Sequence, residues 1–222
     1  TIAQQGATIS GGLQTNANVF LRDTNINAYL QPQYDHQFFG GESWLNINYS
    51  YQGLTAGIRY DMFINSNLRD PNASYTDQGI GRWYVKKQFE KLTVEAGYLY
   101  DQIGSGIIYK AYEQRPLFID NALQGVSLKY NFNKYLSAKA FGGRQKNAFD
   151  IYSGTLKGGA IEGFFSIGND SIPENKINII PGVGFINKTL SEATMEEIVG
   201  VLKSYLEPDR FKPVHNSSAF TF

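Results

Sequence analysis

Residues 80–100 read IGRWYVKKQFEKLTVEAGYLY, and their side chains change character at every second position. After Glu90-Lys91, Leu92, Val94, Ala96, Tyr98 and Tyr100 form one set, and Thr93, Glu95, Gly97, Leu99 and Asp101 form the other. Before it, Trp83, Val85 and Phe89 alternate with Arg82, Tyr84 and Lys86. A period of two belongs to a β-strand, whose successive side chains point to opposite faces. A turn at Glu90-Lys91 pairs Phe89 with Leu92, Val85 with Ala96 and Trp83 with Tyr98 on one face. On the other face it sets Lys86 opposite Glu95, a favourable arrangement across a ladder. One such hairpin also suits a soluble sheet, so the repetition of the pattern carries the weight.

The same alternation recurs in 11–21, 43–51, 54–64, 123–132, the run from Leu136, 158–167, 176–186 and 216–222. In 43–51, Leu45, Ile47, Tyr49 and Tyr51 alternate with Trp44, Asn46, Asn48 and Ser50. Pro181 weakens the run 176–186, because proline cannot donate to a ladder. The connections follow a rule. They are expected to be long at 22–42, 65–78, 103–122, 147–157 and 187–213, and short at 52–53, 90–91, 133–135 and 168–175. Long loops on one rim and short turns on the other are the pattern of an outer-membrane barrel, loops outside and turns in the periplasm. An even strand count puts both termini on the periplasmic rim. The period changes once. Met195, Ile198, Val199, Leu202, Tyr205 and Leu206 recur at helical spacing, with Thr189 or Ser191 as cap and Pro208 as stop.

Composition narrows the class further. The chain has 222 residues, a formal net charge of zero, no cysteine, and 15 tyrosines and 15 phenylalanines. Zero net charge gives no general attraction to nucleic acid. Absence of cysteine excludes disulfides and thiolate chemistry. No apolar run approaches the ~20 residues of a membrane helix, so a membrane-spanning chain of this kind must span with strands. The expectation is one all-β domain over 1–222: an antiparallel up-and-down transmembrane β-barrel with about ten strands visible, and one short amphipathic helix in an extracellular loop.

The segments GGESWLNINYSYQGLTAGIRYD, the 80–100 hairpin and GIIYKAYEQRPLFIDNALQGVSLKYNF resemble the N-terminal part of an uncharacterised outer-membrane β-barrel family of Bacteroidota. The resemblance implies a membrane barrel and brings no catalytic motif. Barrels of that family tend to be longer, so Phe222 is expected either to end a barrel-assembly signal or to fall inside a larger barrel, with the second favoured. Asp170-Ser171-Ile172 is similar to the O-glycosylation motif of the same bacteria, which makes Ser171 a candidate acceptor.

Three sets of residues are candidates for function. The inward polar set is Arg59, Asp61, Arg82, Lys86, Glu95, Asp101, Lys129, Lys139 and Glu162. The turn at Asn133 sets Lys129 opposite Lys139, and Glu95 is the expected counter-charge. This set reads either as a salt-bridge lattice filling a narrow barrel or as a conduit for small solutes. The second set is apolar: Ile107, Ile108, Tyr109, Tyr112, Leu117 and Phe118 in a long loop, and Met195, Ile198, Val199, Leu202, Tyr205 and Leu206 in the helix. It reads as a lid or as a surface that docks a partner. The third is His36 beside Asp35, and His215 near Ser217, a weak hydrolase signal that reads as solvated loop histidines. No metal-ligand spacing and no phosphate-binding glycine loop occurs, so no cofactor is expected. The reading is a non-enzymatic outer-membrane barrel. It is expected to serve as a structural or accessory subunit in barrel assembly, protein secretion or nutrient uptake, with a porin-like channel as the alternative. Its partners would be the bilayer, lipopolysaccharide and other outer-membrane proteins.

Overall fold

A computed structural model of the chain describes residues 6–21, 25, 37–70, 73–167, 177–202 and 216–222. The strands are β1 (Thr8–Val19), β2 (Phe39–Tyr51), β3 (Leu54–Asp70), β4 (Ala73–Gln88), β5 (Leu92–Leu99), β6 (Glu113–Gln114), β7 (Ile119–Asp120), β8 (Leu123–Asn131), β9 (Leu136–Asn147), β10 (Asp150–Gly163), β11 (Phe165–Ile167), β12 (Ile177–Ile179), β13 (Gly182–Thr189) and β14 (Asn216–Thr221). The one helix among the described residues is α1 (Glu192–Leu202). Ten strands form a single antiparallel sheet in the order β1-β2-β3-β4-β5-β8-β9-β10-β13-β14. The all-β, up-and-down expectation therefore holds. β1 and β14 end the sheet, and no pairing joins them among the described residues. Two small hairpins, β6/β7 and β11/β12, stand apart from it.

The turns that local chemistry dictates are the expected ones. Gln52 and Gly53 both take positive φ, 45° and 75°, as a two-residue hairpin turn requires. Phe89 N–H donates to the Leu92 carbonyl at 2.8 Å, closing the turn at Glu90-Lys91. Asn133 Oδ1 accepts from the backbone of Tyr135 at 2.7 Å and Leu136 at 3.0 Å, and this turn sets Lys129 across from Lys139.

The expected loops need three corrections. Residues 65–78 are mostly strand, since β3 continues to Asp70 and β4 starts at Ala73. Residues 147–157 are mostly strand as well, with Ala148 at φ 54° in the turn between β9 and β10. Residues 65–78 are rich in Asn, Asp and Ser, and both stretches have many exposed positions. A strand solvated on both faces has no apolar alternation to betray it. The third correction is the run 176–186, which breaks at Pro181. β12 turns away to pair with β11, and β13 starts at Gly182. Pro181 gives the ladder no N–H, but its carbonyl accepts from Gly163 at 2.7 Å. Long connections remain at 20–38, 100–122 and 190–215. The helix lies in the last of these, and Ser191 Oγ caps it by accepting from Thr194 N–H at 3.3 Å.

The chain separates into two compact units, Thr1–Val85 with Glu113–Asp120, and Lys86–Tyr112 with Asn121–Phe222. In the first unit, Ile58, Tyr60 and Ile64 are exposed while Arg59, Asp61 and Phe63 between them are buried. Leu45 and Ile47 are exposed on β2, and Trp44 is buried. The phase of β3 slips at Asn65 (φ 47°), so that Ser66 takes the next inward place and donates to Glu42 at 2.5 Å.

In the second unit, Val126, Leu128, Tyr130, Ile161, Val183 and Phe185 are exposed on one face. Leu99, Leu123, Phe141, Ala160 and Ile186 form the core on the other, joined by Ile103 from the loop after β5. Tyr98 departs from the expected outward face. It is 5% exposed, with Lys146 Nζ 5.0 Å from its ring centre. Gly97, at φ 119°, breaks the alternation just before it.

Candidate functional site

Each unit carries an inward charge cluster, and the two differ in construction. In the first, Arg59 and Asp61 are two apart on β3 and so share a face. The guanidinium grips Asp61 with two bonds, 2.6 Å to Oδ1 and 2.9 Å to Oδ2. Glu113 lies 2.5 Å and Asp120 3.8 Å from Nη2. These two acids face each other across the β6/β7 hairpin. Arg59 is thus buried against three carboxylates, a planar fork suited to such bidentate contacts.

A tight turn over Arg115–Leu117 closes the hairpin, and Phe118 follows it at φ 52°. Phe118 packs edge-on against Phe63 and Tyr75, with ring centres 5.1 and 5.2 Å away. Arg115 donates to Gln14 at 3.2 Å and lies 5.6 Å above the Trp44 ring. Gly81 is without a side chain for a reason: a Cβ there would lie 1.8 Å from Asp61 Oδ2.

In the second unit, Lys139 is the centre. Its ammonium lies 3.2 Å from Asp101 and 3.6 Å from Glu162, and donates to the Gln102 carbonyl. Glu95 is therefore not its counter-charge, contrary to expectation. Glu95 pairs with Lys86 at 3.7 Å, as the hairpin register predicts. The loop after β5 returns to the sheet and brings Asp101 with it, which the strand pattern could not disclose. Lys129 faces Lys139 across the ladder but stays exposed. A cavity of about 210 Å³ is lined by Lys86, Glu95, Asp101, Lys129 and Lys139 among others.

Of the remaining inward candidates, Arg82 lies 4.8 Å above the Tyr84 ring, and the Tyr84 hydroxyl donates to Asn48 at 3.1 Å. Sequence reasoning missed Glu113, Asp120 and Glu42. The first two sit on strands of two residues, too short for any period, and the Pro116 turn between them was the only local signal.

The apolar loop set divides. Ile107 and Leu117 are well exposed and Tyr112 less so. Ile108 and Tyr109 pack on the core, Tyr109 stacking on Phe141 at 4.7 Å. Phe118 is occupied by its own aromatic cluster. Burial, with Asp101 nearby, pushes the Tyr109 phenol pKa up. On α1, Met195, Ile198 and Val199 are half-buried. The Leu202 side chain, Tyr205, Leu206, Ser171, His36 and His215 lie outside the described residues. No group of three metal-binding side chains occurs among the described residues.

The chain belongs to a family of unknown function, DUF6029, whose model matches residues 1–217. No curated protein and no solved structure matches the chain.

Proposed function

We propose that the chain forms wall of an outer-membrane β-barrel in a Gram-negative bacterium of the Bacteroidota type. In this reading it is a non-enzymatic structural or accessory subunit of a larger outer-membrane assembly, serving barrel assembly, protein secretion or nutrient uptake. The carrying observation is the exposed apolar face. In both units, isoleucine, leucine, valine, tyrosine and phenylalanine point outward at alternate positions, while charge is turned inward. Soluble monomers rarely leave contiguous apolar patches above a few hundred Å² open to water, whereas a bilayer requires such a face. β3 and β4, at 17 and 16 residues, exceed the ~9–11 that cross a bilayer. Their polar ends suit projection beyond the lipid. The open edges of β1 and β14 also need partner strands there, because unpaired backbone groups are not tolerated in hydrocarbon.

The inward groups favour a structural role over a channel, since the chain fills its own inner face with ion pairs and aromatic side chains. A porin-like conduit is the second reading, favoured by the cavity lined by Lys86, Lys129 and Lys139. The test is extraction of the native protein from outer membranes in mild detergent, then native mass analysis and planar-bilayer recording. Fixed-ratio co-purification with other membrane proteins is expected. Stable ion-selective steps from the isolated chain would favour the conduit instead. Recovery in the soluble fraction would sink both.

A further inference from the structure

A second cavity of the second unit, about 320 Å³, has a different electrostatic character. Its size is at the lower end for small-molecule sites, roughly 300–1,000 Å³. Ile108, Leu156 and Ile186 give it an apolar lining, and Gln145 and Ser217 add polar groups. Its charged residues are Lys110 and Lys188, and no carboxylate lines it among the described residues. The register explains the arrangement. Leu156 pairs with Lys188 and Lys188 with Ser217, so the three sit side by side in one row across β10, β13 and β14. Lys110 comes from the loop after β5, where its ammonium lies 5.5 Å from the Tyr112 ring.

Lys139 and Lys86 each have a carboxylate within ion-pair distance. Neither Lys110 nor Lys188 has one among the described residues. Lys110 and Lys188 both line this half-apolar cavity and both are exposed, so an anion bound there meets two cations and no carboxylate of the described lining. From this charge pattern we infer that the cavity binds a small organic anion. A phosphate or carboxylate group rests between Lys110 and Lys188, and a sugar-sized body lies on Ile108, Leu156 and Ile186. Gln145 and Ser217 hydrogen-bond its hydroxyl groups. The inference is independent of the membrane reading, because the cavity is built within one unit.

The test is equilibrium binding to the purified full chain in detergent. The probes are inorganic phosphate, glucose 6-phosphate, glucuronate and uncharged glucose, with vesicles containing lipid A phosphate as a separate arm. Glucose 6-phosphate or glucuronate is expected to bind at least tenfold more tightly than glucose. Lys110→Gln with Lys188→Gln is expected to abolish that preference, while Lys86→Gln with Lys129→Gln, outside the cavity, retains it. Retention of lipid A vesicles without binding of the soluble sugars would assign the phosphate to a lipid head group, and the same double variant must lose it. Equal binding of charged and uncharged sugars without vesicle retention, or unchanged binding by the Lys110/Lys188 variant, would overturn the inference. A circular-dichroism spectrum and melt matching the parent keeps a failure of folding from being read as a loss of binding.

Discussion

The Arg59 cluster and the Lys139 cluster answer the same problem in different ways. Both hold a cation on the inward face of a sheet, and each takes at least one acid from the long connection after β5. Arg59 is 3% exposed, and its three carboxylates are all at least four-fifths buried. Lys139 is 11% exposed, but Asp101 and Glu162 keep about a third of their surface in solvent. A buried guanidinium with fixed bidentate geometry cannot be replaced by water when a partner is lost. A lysine whose acids remain wet can be. The first cluster should therefore be part of what holds its unit together, and the second an adjustable lining.

Three substitutions test whether the two clusters differ in this way. Arg59→Met removes the buried cation that Asp61, Glu113 and Asp120 share, Glu113 keeping Arg115 at 3.5 Å, and is expected to cost about 3–5 kcal/mol. Thermal unfolding in detergent reads this as a large fall in midpoint. A melt matching the parent would mean the cluster contributes nothing to holding the unit.

Gly81→Ala is expected to cost about 2 kcal/mol, the order seen for overpacking, because its methyl group displaces the Asp61 carboxylate. If that is the cause, the loss in the Gly81→Ala, Arg59→Met double variant falls short of the sum of the single losses. Strict additivity would place the damage elsewhere.

Lys139→Met is expected to cost only ~1 kcal/mol, since its acids are a third exposed and screened by solvent. A loss as large as that of Arg59→Met would erase the distinction between the clusters.

Some features were legible because they are local. The Lys86–Glu95 pair and the Lys129–Lys139 register follow from counting outward from a tight turn, and the structure has both. The Arg59–Asp61 pair follows from residues two apart on one strand. The acids that complete these clusters could not be placed this way. Glu113 and Asp120 come from strands of two residues, Asp101 meets Lys139 only because the loop folds back onto the sheet, and Glu162 meets it through the β9/β10 register, in which Ala160 pairs with Lys139. The choice of Glu95 as partner to Lys139 failed for that reason. It was the nearest acid counted from the turn at Asn133, but the loop delivers Asp101 and the neighbouring strand β10 delivers Glu162.

The sequence by itself determined the strand character, the order of neighbours in an up-and-down sheet, the tight turns and the exposed apolar face. Each follows from a period of two and from turn chemistry, which act over a few residues. The tertiary structure alone decided where strands continue through polar stretches, that Pro181 diverts a strand into a separate hairpin, and which acid meets which cation. It also decided that Lys110 and Lys188 share a cavity with no carboxylate among its described residues. Those outcomes depend on how a long connection packs on a sheet, and a charge far along the chain leaves no periodic trace in its neighbours.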